Sequence, residues 1–208
     1  MENLIEKYNV SRETIDLLKT YEASLKEWQN KFNLVSNNSL EDAWNRHFLD
    51  SLQLLDLIPN TAKLMLDFGS GAGFPGMVLA IALQNKTPYL KIKLIESIKK
   101  KTLYLKHVAE ICNVKNVEII NDRIENIAKQ KADVITSRAM CSLDELLKYA
   151  YRFTDKKTIC IFPKGKKYAE EISEAQKHWN FEYKIIPSIT SEEGAIVIIT
   201  NLFAKGVK

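Results

Sequence analysis

Three glycines stand at alternate positions in DFGSGAGFPG: Gly69, Gly71 and Gly73. Without Cβ atoms they let a backbone turn sharply and approach a bound group closely. Pro75 follows at a place suited to the first turn of a helix, where its missing N–H costs nothing. The apolar run before the loop, 64–68, reads as a buried strand. Residues 64–82 are therefore strand, glycine loop and helix N-terminus, an arrangement that receives the edge of a nucleotide or nucleoside. Two spacings overlap here. GAGFPG satisfies the G-x-G-x-x-G pattern of dinucleotide sites, and 69–73 gives the G-x-G-x-G usual in Rossmann-like S-adenosylmethionine (SAM) enzymes. The loop alone leaves both open.

Further chemistry-bearing residues fall after later apolar runs. Glu96, 27 residues beyond Gly69, ends the expected second strand and can accept both ribose hydroxyls of an adenosine moiety. Asp122, Arg123, Ile124 and Glu125 follow the third strand, where an adenine would lie against Ile124. Ser137-Arg138-Ala139 ends the fourth. It contains no Asp/Asn-Pro-Pro-aromatic motif, and Cys141 and Cys160 are no pair for attack on a pyrimidine C5. What remains is a cation beside the reaction site, which suits a nucleophile with a free lone pair, such as a purine N7. Such a nucleophile needs alignment rather than deprotonation, so no catalytic acid or base is assigned. Arginine also commonly reads the O6/N7 edge of guanine. Lys164, in Pro163-Lys164-Gly165-Lys166-Lys167, joins Lys99, Lys100, Lys101 and Arg123 as a basic rim for phosphates, although a solvated lysine run would look the same. In RHFLDSL, Arg46 and Asp50 are spaced for a surface ion pair and His47 for packing beside Phe48; Arg46 and His47 are also assigned as substrate-binding residues.

The elements that must hold these residues can be read from periodicity. Ile15, Leu18, Leu25, Trp28 and Phe32 recur at helical steps over 11–32, with Ser11 as N-cap. A second helix is expected from Ser39, capped with Asp42, to Pro59. Strands at 64–68, 91–97, 116–120, 132–138 and 158–163 alternate with helices at 75–82, 98–112, 123–128, 142–153 and 166–179, which predicts a parallel, doubly wound sheet. The last two strands, 181–186 and 195–200, are joined only by PSITSEEG. That is too short for a helical crossover and predicts an antiparallel hairpin. NAD-type sheets normally finish parallel, so the ending favours SAM.

Composition bounds the rest. A chain of 208 residues with 46% hydrophobic and 27% charged residues suits one globular domain with a small extension, divided here into a helical part at 1–60 and a cofactor-binding domain at 61–208. No apolar run is long enough to span a bilayer and no signal peptide opens the chain, so the cytoplasm is expected. Three scattered cysteines give neither a disulfide framework nor a zinc site, and no metal is expected. The net charge of +4 divides into −4 over residues 1–60 and +8 over 61–208, which favours a polyanionic partner for the second part.

KFNLVS, RHFLDSL, DFGSGAGFPGMVLAI, Glu96-Ser97 with the following lysines, DRIE, SRA and PKG occur together in one order. In this the chain resembles the bacterial 16S rRNA guanine-N7 methyltransferases, once called glucose-inhibited division protein B, over about residues 25–203. The resemblance implies a Rossmann-like class I SAM-dependent fold with a seven-stranded sheet and an N-terminal helical cap. It implies methyl transfer to a guanine N7 in 16S rRNA or the small ribosomal subunit, with no DNA or membrane partner and a monomer as the default. SAM contacts are implied at Gly69, Phe74, Ile124, Glu125 and Arg138, beside the Gly71, Gly73 and Glu96 of the loop and ribose arguments. Glu96 stands where many members have Asp, one methylene shorter. Lys164 lies in the family's final loop motif. An NAD oxidoreductase (from GAGFPG and Glu96) and an RNA-binding module without catalysis (from the basic balance) are the competing expectations.

Overall fold

Strand β1, Leu64–Phe68, runs through the middle of a seven-stranded sheet and is covered on both sides, which is why its sequence does not alternate. The computed structural model describes residue 8 and residues 10–206. The remaining strands are β2 (Lys91–Ile95), β3 (Val117–Ile120), β4 (Val134–Ser137), β5 (Ile159–Lys164), β6 (Trp179–Pro187) and β7 (Ala195–Ala204). Their order is β3-β2-β1-β4-β5-β7-β6. The first five are parallel, and β7 runs antiparallel to both neighbours. The chain winds outward from β1 in one direction and from β4 in the other. A crevice therefore opens at the carboxyl ends of these two strands, where ligands bind in such sheets.

Successive strand residues point into opposite layers. Met65 and Ile161 join one core, and Leu66, Phe68 and Phe162 the other. The first layer is built by α1 (Arg12–Gln29), α3 (Gly76–Leu83) and α4 (Lys99–Ile111), the second by α5 (Leu143–Ala150) and α6 (Tyr168–His178). Ser11 caps α1 by accepting from the Thr14 amide, and Ser142 caps α5 by accepting from the Glu145 amide. Leu18, Tyr21, Leu25, Phe48 and Leu52 from the N-terminal part pack in the same layer as Met77, Tyr104 and Leu105. No helix among the described residues is long and apolar enough to cross a membrane.

Three expectations fail. The second helix does not open at Ser39: Ser36 has the extended backbone of an N-cap and accepts from the Ser39 amide, so α2 is Asn37–Glu41, with Ser39 in its first turn and Asp42 just past its end. Nor is it one helix to Pro59, because α2 gives way to a π-helical turn at Trp44–Leu49, an α turn at Asp50–Leu52 and a 3-10 turn at Leu55–Leu57. Trp179 belongs to β6 rather than the preceding helix. Its backbone is extended, and its indole N–H donates to Asp144 Oδ1 at 3.0 Å.

Candidate functional site: two clefts at the carboxyl edge of the sheet

The loop after β1 is held from below. Ser70 donates its hydroxyl to Asp67 O at 3.1 Å and its amide to Ile95 O at 3.2 Å, while Gly73 N–H donates to Ser70 O at 2.7 Å. Glu96, 6% exposed at the end of β2, closes the loop from the side. Its Oε2 accepts from the Gly71 amide at 2.9 Å and its Oε1 from the Ile98 amide at 2.7 Å. Gly69, Glu96, Ile124 and Glu125 line a cleft of about 420 Å³, with Arg123 on its rim and Met140 and Tyr149 on its far wall. The short helical turn expected around 123–128 is a 3-10 turn, Ile124–Asn126. Arg152 pins it by donating to the carbonyls of Ile124, Glu125 and Ile127 at 3.1, 2.9 and 3.2 Å.

A second cleft, of about 360 Å³, opens beside the first. Its walls carry Arg46, Asp50, Arg138, Lys164, Thr190 and Gly194, and it shares Ala139 and Cys141 with the first. The segment after β4 is thus a partition between two neighbouring spaces. Arg138 lines this second cleft rather than the first, and three of the five N–H groups of its guanidinium are engaged with the N-terminal part. Nη1 donates to Arg46 O at 2.7 Å and to Asp50 Oδ2 at 3.0 Å, and Nη2 donates to His47 Nδ1 at 2.8 Å. Asp50 therefore pairs with Arg138 and not with Arg46. The Arg46 guanidinium has no hydrogen-bond or ion-pair partner among the described residues.

His47 is fixed as a neutral ring. Arginine cannot accept, so Nδ1 must; the proton then sits on Nε2, which faces Ser39 Oγ at 3.1 Å. Burial first, then the charges of Arg138 and Arg46, lower its pKa to about 4. A ring with both nitrogens occupied is an orienting group, not a base. It stacks on Phe74 with centroids 4.7 Å apart, and Phe74 stacks on Tyr21 at 5.4 Å with Arg138 above its ring. Phe74 is 4% exposed and lines neither cleft. Gly73 also faces the helical layer, where a Cβ would collide with the Tyr21 hydroxyl. Lys164, on the floor of the second cleft, donates to Glu171 at 2.7 Å and to Cys141 O at 2.9 Å.

Of the residues singled out in the sequence, Gly69, Gly71, Glu96, Arg123, Ile124 and Glu125 therefore gather around the first cleft, with Gly71 acting through its amide. Arg46, Arg138 and Lys164 line the second, and His47, Gly73 and Phe74 lie behind the walls. Sequence reasoning missed Asp50, Thr190, Met140 and Arg152. Asp50 lay in the quoted RHFLDSL but was paired with the nearer cation. Thr190 and Met140 sit in loops with no local signal.

The chain also has relatives. The family model for rRNA small subunit methyltransferase G matches residues 14–197. A protein from Orientia tsutsugamushi named ribosomal RNA small subunit methyltransferase G is 42% identical over 193 residues, 92% of this chain and 93% of its own length. One of the same name from Ruegeria sp. is 40% identical over 190 residues, 91% of each chain. Among solved structures, a SAM-dependent methyltransferase from Aquifex aeolicus superposes with a TM-score of 0.58 at 14% identity, covering 78% of this chain and 95% of that one. The Bacillus subtilis tRNA methyltransferase TrmK does so at 0.55 and 18%, covering 72% and 64%.

Proposed function

Because the chain belongs to the rRNA small subunit methyltransferase G family, we propose that it transfers the methyl group of SAM to N7 of a guanine in 16S rRNA, in the cytoplasm. The observation that carries this reading is the pair of clefts separated only by residues 139–141, one edged by Gly69 and Glu96 and the other by Arg46 and Arg138. The N-terminal part at 1–60 then serves as a wall of the acceptor cleft, and 61–208 as the methyl-transfer domain.

The first cleft fits SAM. A carboxylate offers about four acceptor sites, and two of those on Glu96 are taken by the Gly71 and Ile98 amides, which leaves room for the two ribose hydroxyls. Ile124 offers an apolar face to the adenine, and Gly69 brings backbone close without a side chain between. When bound, SAM supplies an electrophilic methyl group on a positively charged sulfur. The residues of the second cleft align the acceptor. A guanine N7 carries no proton, so attack through its lone pair leaves none to remove, in keeping with a neighbouring histidine that is locked neutral behind the cleft wall. That lone pair must stay free of donors, so the unpaired Arg46 guanidinium suits O6 or a flanking phosphate. Arg123, Lys99, Lys166 and Lys167, all exposed, extend the positive rim along the RNA backbone.

Mapping N7-methylguanine in ribosomal RNA from cells with and without this gene tests the reading. One small-subunit site is expected to lose its methyl group in the deletion and regain it on complementation. An unchanged methylation map would refute the proposal.

A further inference from the structure

We propose that Asp50 is a positioning residue for methyl transfer, its single carboxylate holding both Arg138 and the 188–194 hairpin loop against the acceptor cleft. This rests on the functional reading above and adds to it a residue that acts through Arg138 and Thr190. Asp50 Oδ2 accepts from Arg138 Nη1 at 3.0 Å, and its Oδ1 accepts from Thr190 Oγ1 at 2.7 Å and from Gln53 Nε2 at 2.8 Å. Gln53 repeats the bridge, since its Oε1 accepts from the Ile189 amide at 3.1 Å. Arg138 and Thr190 both line this cleft but come from separate parts of the chain, one after β4 and the other between β6 and β7. The His47 ring and the Arg46 carbonyl hold Arg138 alone, and Gln53 reaches the loop alone, so Asp50 is the side chain that joins the two. The Arg138 and Asp50 side chains are only 18% and 15% exposed, so water screens the pair weakly.

The chemistry explains why such a tie matters. With no proton to move, the rate depends on how closely the acceptor lone pair is aimed, and a misplacement of about 1 Å costs about a hundredfold. Freed from Asp50, Arg138 keeps its contacts to His47 and Arg46 but can swing, and the loop keeps only its Ile189 bond to Gln53.

The test uses the full-length protein, SAM and small ribosomal subunits or 16S rRNA, with Asp50→Asn, Thr190→Val and the double variant. For Asp50→Asn, kcat is expected to fall about a hundredfold while the KM for SAM stays within about twofold. Thr190→Val, which removes one hydrogen bond, is expected to lower kcat about fivefold. The double variant is expected to be no slower than Asp50→Asn, because both changes break one linkage. SAM affinity by calorimetry serves as the control for folding. Multiplicative losses in the double variant, or an Asp50→Asn enzyme with wild-type kcat, would overturn the proposal. Should Asp50→Asn fail to fold, Thr190→Val decides alone: full activity sinks the idea and a selective loss of kcat supports it. A wild-type protein that methylates neither substrate would instead defeat the functional reading itself.

Discussion

His47 and Glu96 show how individual side chains are set by their partners rather than by type. His47 has a folded pKa of about 4 against about 6.5 unfolded, so below pH 6.5 the unfolded chain binds a proton that the native ring refuses. The contribution to stability is complete above pH 6.5 and is lost as pH falls toward 4, about 3 kcal/mol in all. Urea unfolding across that window is expected to reveal the slope, and His47→Gln to flatten it. An unchanged slope in the variant would place the titrating group elsewhere. Glu96→Gln is expected to weaken SAM binding about tenfold by calorimetry, since hydrogen bonds to a charged acceptor are the stronger kind. The place of Glu96 just after β2 was legible from the apolar run before it. The partner of Asp50 was not, because the four-residue spacing to Arg46 offered a local answer and the true partner lies 88 positions away.

Among the elements, β1 matches the sequence reading residue for residue, since a strand buried on both faces leaves an unbroken apolar signature. The caps at Ser11 and Ser142 were equally readable, because a side-chain oxygen beside an amphipathic run is a local signal. The terminal hairpin followed from loop length alone. The π-helical turn at Trp44–Leu49 was invisible, since its apolar steps are those of an ordinary helix. Its Arg46 carbonyl accepts from a cation remote in sequence, and π turns gather at functional sites. At the junction of loop and α3, Gly73 has φ +101° and its missing Cβ makes room for Tyr21 and Met77. Gly73→Ala is expected to cost about 2 kcal/mol or more of stability in urea denaturation, from backbone strain and overpacking together. A variant as stable as the wild type would show that the helical layer yields easily there.

At the scale of the molecule, the N-terminal helices and the sheet share one hydrophobic layer, and from it the turns carrying Arg46 and Asp50 form a wall of the second cleft. The +8 balance of residues 61–208 was readable from composition, but which cations stay available was not. Lys164 and Arg138 are consumed by internal partners, whereas Arg46 and Arg123 are exposed. RNA binding is expected to weaken as salt rises. Replacing Lys99, Lys166 and Lys167 with serine is expected to reduce the slope of log K against log salt by about 2, at about 0.7 per single-strand phosphate contact. A slope unaltered by the triple change would move the RNA path off this rim. The most direct measurement is transfer of a radiolabelled methyl group from SAM to 16S rRNA or small subunits by the purified protein, followed by nucleoside analysis. Label is expected in N7-methylguanosine at a single site, abolished by excess S-adenosylhomocysteine, as guanine-N7 methyl transfer requires. Label on any other atom, or none despite measurable SAM binding, would contradict it.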